Sequence, residues 1–160
     1  MKSGGDTAGI RLWYTTLAAN WRIFADSATR DFAFHRNGVL RGYIGETDGK
    51  YYATSDMRLK TDIAPVDGAL QQVLKLQPVT YHYSDNPSGS QRSYGFIAQD
   101  VEKVFPEFVT TKEESGLKGI AYDNFGVVAI KAVQEQQSMI ETQRKRLETL
   151  KQRIAKLEGK

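Results

Sequence analysis

The chain has 160 residues, 40% of them hydrophobic, which allows one ordinary core or two small units. With no cysteine and only His35 and His82, disulfides, thiolate nucleophiles and Cys-bound zinc are excluded, and neither a His-rich metal site nor any cofactor is expected. The net charge of +3, from 22 basic and 19 acidic side chains, partly reflects Arg144 to Lys160, where aromatic interleaving is missing, so no nucleic-acid partner is expected.

No run of about 18 apolar residues occurs, and Met1 to Gly9 carries no apolar stretch of the secretory kind, so neither a membrane partner nor a leader is read. From Ile10 to Thr54 short apolar or aromatic runs alternate with turn formers. Each run is only strand length. Asn37-Gly38 and Asp48-Gly49 supply positive φ cheaply, which predicts a hairpin over FAFHRNGVLRGYI and another reversal over ETDGKYY. Trp13, Tyr14, Trp21, Phe24, Phe32 and Phe34 are more aromatic surface than an isolated small sheet buries. Burial against identical neighbours resolves this and makes the segment the end of an intertwined fibre shaft; a small autonomous β domain is the alternative.

After Lys60, Val66, Leu70, Val73 and Leu74 fall at helical spacing, predicting a helix from Val66 to Leu76 with Asp67 on its dipole. Pro78 stops it, and Val79 to Tyr83 reads as a strand. The polar stretch from Ser84 to Ser93 is a surface loop. A strand at Tyr94 to Ile97, a short helix at Ala98 to Val104, a strand near Glu107 to Thr111, and a turn with a return strand follow. Tyr122 to Ala132 reads as packing at the start of a long helix.

That helix carries the clearest period in the chain. Val133, Ile140, Leu147 and Ile154 recur every seven residues, with Gln136, Gln143, Leu150 and Leu157 three positions on. These are positions a and d of a heptad, and a lone helix cannot bury such a stripe. Side-chain rules permit dimer or trimer, and the two Gln at d favour one register.

At the seam between the β-rich and helical parts lies SDMRLK, with a hydroxyl at Ser55 and an amine at Lys60. Serine is a weak nucleophile until a base takes its proton, and with so few histidines a neutral lysine is the natural base. Burial without a charge partner would favour that neutral form. Five residues along a helix rotate about 500°, leaving the two groups about 140° apart, and in a strand odd spacing puts them on opposite faces. The chain must therefore bend between Asp56 and Leu59, or a neighbouring subunit must supply the lysine. Asp56 and Arg58 read equally well as an exposed charge pair.

SDMRLKTDI, LKLQPVTYHY, GFIAQDVEKVFPEFV and AYDNFGVVAIKAVQEQ, in that order from Ser55 to about Gln137, resemble the C-terminal intramolecular chaperone domain of trimeric phage tailspikes and tail fibres. Relatives of that domain occur in bacterial surface fibres and in the myelin regulatory factor. The resemblance implies a homotrimer whose folding client is the upstream fibre polypeptide, at home in a phage tail fibre or bacterial surface fibre. It also implies self-cleavage between Thr54 and Ser55, with Ser55 as nucleophile and Lys60 as general base. Backbone N–H groups, Gln99 or the Tyr94 hydroxyl are candidate oxyanion donors. The fold expected is α+β: a β-rich shaft end over 1–54, a mixed chaperone domain over 55–121 and a coiled-coil helix over 122–160. A non-catalytic trimeric fibre tip or adhesin, or a trimerisation module, is the competing reading.

Overall fold

The computed structural model describes residues 9–13, 20–87 and 89–159. The expectations for Met1 to Ala8 and for Tyr14 fall outside them. Two units are distinguished, Met1–Ile63 and Ala64–Lys160.

The first unit is an antiparallel meander in sequence order: β1 (Gly9–Trp13), β2 (Asn20–Ala25), β3 (Phe32–Arg36), β4 (Val39–Ile44) and β5 (Tyr51–Ala53). The β3–β4 hairpin turns on Asn37 and Gly38, with φ of 51° and 80°. Positive φ at both central residues gives the turn whose twist matches the flanking strands. The predicted reversal before β5 is a longer loop, from residue 45 to 50, in which Gly49 alone takes a positive φ, 65°. In the register Phe24, Ala33, Tyr43 and Tyr52 pair across four strands and share one face, where Tyr43 stacks on Tyr52 at 5.1 Å. Strand alternation puts Ile23, Phe32, Phe34 and Tyr51 on the other. There Phe34 lies edge-on to Phe32 at 5.4 Å and to Tyr51 at 6.2 Å. Only Phe24 and Ala33 are buried among these, and Trp21, Phe32, Tyr51 and Tyr52 stay exposed. The sheet is paired throughout in sequence order but thinly covered.

The second unit contains α1 (Ala69–Val73), a two-stranded sheet of β6 (Val79–Tyr81) and β7 (Ser93–Gly95), and α2 (Ala98–Glu102). A second small sheet of β8 (Val109–Thr111) and β9 (Lys118–Ile120) leads into the 35-residue α3 (Asn124–Glu158). Its core is Ala69, Val101, Phe105, Phe108, Val128 and Ala132. Phe105 stacks on Phe108 at 4.7 Å, and Phe125 meets both rings edge-on. Alanine on each helix, Ala69 and Ala132, lets α1 lie close against the start of α3.

The α+β class expected from sequence holds, as several antiparallel sheets joined to one long helix. The helix predicted over Val66 to Leu76 is shorter than its periodicity suggested. Gly68 stands at φ 69°, a left-handed conformation that breaks the helical path, so regular turns begin only at Ala69. Asp67 therefore sits outside the helix and pairs instead with Lys131 at 3.3 Å. From Met139 to Leu157 the stripe on α3 is solvent-facing in the single chain, with Ile140, Leu147, Leu150, Ile154 and Leu157 all exposed.

Candidate functional site

The Ser55–Lys60 segment follows directly from the sheet. Thr54 N–H donates to the Arg41 carbonyl at 3.1 Å, so the ladder that pairs β5 with β4 continues to the residue before Ser55. The carbonyl side of the Thr54–Ser55 bond is thus attached to a hydrogen-bonded strand. Beyond Ser55 the chain enters a single 3-10 turn, Met57–Leu59. Asp56, extended at φ −66° and ψ 135°, is its N-cap. The Asp56 Oδ1 accepts from the Arg58 backbone N–H at 2.9 Å and from Arg58 Nε at 3.0 Å, while Oδ2 accepts from Arg58 Nη2 at 2.7 Å. Bonding to the Arg58 guanidinium, then to its backbone N–H, holds the Asp56 carboxyl below its ordinary range. The turn closes with Leu59 N–H on the Asp56 carbonyl and Lys60 N–H on the Met57 carbonyl, at 3.1 and 3.0 Å.

After this turn Lys60 returns to an extended conformation, and its Nζ lies 2.7 Å from Ser55 Oγ as a hydrogen-bond donor. One side chain thus meets the other within a single chain. The bend that the spacing demanded between Asp56 and Leu59 is present, and no lysine from a neighbour is needed to make the contact. The predicted burial of the amine is overturned: Ser55 and Lys60 are both exposed. The reason is local, since the turn's own apolar side chains, Met57 at 74% and Leu59 at 56% exposure, project into solvent.

Two features of the site were not anticipated. Thr54 Oγ1 is buried without a hydrogen-bond partner among the described residues. Nothing in the sequence marks it. The other is the cap: the carboxylate that makes the exposed Asp56–Arg58 charge pair expected from sequence also accepts the Arg58 backbone N–H, a familiar turn signal of an Asp two residues before an amide that needs an acceptor.

The proposed oxyanion donors lie in the second unit. Tyr94 is 82% exposed on β7, and Gln99, in α2, lines a shallow cavity of about 370 Å³ with Tyr81, Tyr83, Phe96 and Tyr122. In that cavity the Tyr83 hydroxyl, 3.4 Å from that of Tyr81, is the main cause pushing the Tyr81 phenol up to about 12. No group of His, Asp and Glu able to hold a metal ion occurs among the described residues. No helix among them is long and apolar enough to cross a membrane.

Residues 55–110 match the family described as chaperone of endosialidase. The match begins at Ser55, the first residue of the bent segment, and agrees with the resemblance read from the sequence. The long tail fiber protein Gp37 of Enterobacteria phage K3 is 35% identical over 95 residues, 58% of this chain and 8% of that protein. Its counterpart in Enterobacteria phage Ox2 is 36% identical over 110 residues, 65% of this chain and 44% of that protein. The chain thus spans less than half the length of these curated relatives. Over the matched residues the chain is thus similar both to a chaperone family and to phage tail fibre proteins.

Proposed function

We propose that this chain is the end of a tail fibre joined to an intramolecular chaperone, which gathers three copies through α3, sets their register, and is released by cleavage between Thr54 and Ser55. The observation that carries this reading is the 2.7 Å contact of Lys60 Nζ with Ser55 Oγ, at the residue where the family match begins. Ser55 is the nucleophile and Lys60 the base.

In the reaction, unprotonated Lys60 Nζ accepts the Ser55 hydroxyl proton as Oγ attacks the Thr54 carbonyl carbon. The carbon–nitrogen bond then breaks, the Ser55 nitrogen takes up a proton to leave as an amine, and Thr54 is held as an ester on Oγ. Water adds to that ester and releases a Thr54 carboxylate, restoring the Ser55 hydroxyl on a new N-terminus. Because hydroxyl and carbonyl belong to adjacent residues, attack needs no diffusional encounter.

Exposure of the amine supports a link between cutting and assembly. Met57, Leu59 and Ile63, at 74%, 56% and 67% exposure, form apolar surface around the turn. Neighbouring copies that cover it would also remove water from Lys60 and favour its neutral form. Cleavage then reports that three chains have come together correctly. Long-range pairing among three β-rich chains is slow, whereas a heptad helix nucleates locally, so chaperone and client divide the work by speed. Loss of the chaperone afterwards leaves the shaft kinetically trapped in its folded state.

A second reading, a fibre end that stays attached and cuts nothing, is favoured by the solvent exposure of both Ser55 and Lys60. Intact and native mass of freshly assembled protein separates the two. Under the first, wild type gives a fragment starting at Ser55 and Ser55→Ala stays whole in the same trimer. A wild-type trimer that stays uncut, or a cut Ser55→Ala chain, eliminates the Ser55–Lys60 mechanism.

A further inference from the structure

We propose that Asp56 is the positioning residue of the Thr54–Ser55 cleavage: its carboxylate, fixed by Arg58, holds the 3-10 turn that returns Lys60 onto the Ser55 hydroxyl. The inference rests on the cleavage reading above and adds a residue that does no chemistry itself. Neither a regular helix nor a strand brings side chains five apart together, so the contact depends on the turn at Met57–Leu59. A single 3-10 turn has few bonds of its own. Here it is closed by two backbone bonds, from Leu59 and Lys60, and by the Asp56 side chain on the Arg58 N–H.

None of the turn's residues is buried, so packing within the unit does not impose the bend. The cap must do it. Arg58 adds two further bonds to the same carboxylate, which restrict its rotamer and keep Oδ1 aimed at the amide.

The substitutions divide these roles. Asp56→Ala removes the cap and the guanidinium partner together. Asp56→Asn keeps an oxygen for the Arg58 N–H and loses the charge pair. Arg58→Ala keeps the cap and frees the carboxylate. Each variant is assembled as the full chain, isolated as the oligomer, and followed by mass for the appearance of the fragment starting at Ser55. Displacement of a reacting group by about 1 Å lowers rate about a hundredfold, so Asp56→Ala slows cleavage by about that factor, while Asp56→Asn stays within about tenfold of wild type. Asp56→Ala cleaving at the wild-type rate, or Asp56→Asn proving no faster than Asp56→Ala, overturns the proposal.

A second measurement is independent of cleavage. In the Ser55→Ala background, amide hydrogen exchange at Arg58 and Lys60 accelerates at least about tenfold when Asp56→Ala is added, because their protecting bonds belong to the capped turn. Unchanged exchange overturns the positioning role even if wild type cleaves. Accelerated exchange in a protein whose wild type never cleaves overturns the cleavage reading alone.

Discussion

Glu135, in the fourth turn of α3, accepts the backbone N–H of Leu70 at 2.9 Å and that of Ala69 at 3.3 Å, across more than sixty residues of sequence. It is the cap that α1 does not supply for itself, since Gly68 has no side chain to offer. Lys131, one turn earlier, reaches Asp67 at 3.3 Å and lies 4.0 Å from Glu135. The start of the long helix is thereby tied by polar contacts, as well as by Ala69, Val128 and Ala132, to the helix packed against it.

Glu135→Ala leaves two amide groups at the start of α1 without acceptors and lowers stability by about 1 kcal/mol, within the range for lost caps. Glu135→Gln retains an acceptor oxygen and loses less. Chemical unfolding of the assembled protein measures both, and an alanine variant as stable as wild type would remove this tie from the account.

Phe105 is 2% exposed and touches Phe108 and Phe125 ring to ring. Phe105→Ala opens a cavity at the centre of the second unit and costs about 3–5 kcal/mol. Phe105→Leu, closer in volume, costs less. Calorimetry on the two variants checks the order; equal melting temperatures for both and wild type would contradict the assigned core.

Ile140 and Leu147 occupy successive a positions and are exposed in the single chain. Replacing both with Asp places charge in the seam proposed above to join three helices; under that proposal native mass changes from trimer to monomer and the β-rich segment becomes insoluble. A double variant that remains trimeric would mean the stripe is not the joining surface.

Asp48 ties the hairpin between β4 and β5 together, accepting from the Lys50 N–H at 3.0 Å and the Tyr52 hydroxyl at 2.7 Å. The Lys50 backbone bond, then the Tyr52 hydroxyl, holds its carboxyl below the ordinary value of 3.8. A carboxyl whose folded value is depressed contributes stability that is present above the unfolded value and is lost as pH falls through the folded one. Acid unfolding below about pH 4 should therefore be shallower in Asp48→Asn than in wild type, since the amide does not titrate. Tyr52 fluorescence against pH follows it, and identical acid limbs would discount the contact.

Much of this protein was legible in order along the chain. The turn dipeptides located two hairpins, and the period of seven continued through a helix that the structure extends from Asn124 to Glu158, whereas α1 ends at Val73, five residues before Pro78. The signals that held are local: a φ angle, or a repeat carried by neighbouring residues. The α1 boundary was misread because an apolar period says which face is buried but not where the backbone leaves the helical region, and Gly68 left it.

What sequence alone determined was the identity of a hydroxyl and an amine five residues apart, together with the requirement that the chain bend between them. Tertiary structure decided that the bend is a capped 3-10 turn, that it brings Lys60 Nζ to Ser55 Oγ, and that both remain in solvent within one chain. The difference has a physical source. Spacing restricts which conformations fail to join two groups, whereas contact and solvation depend on every atom that packs around them.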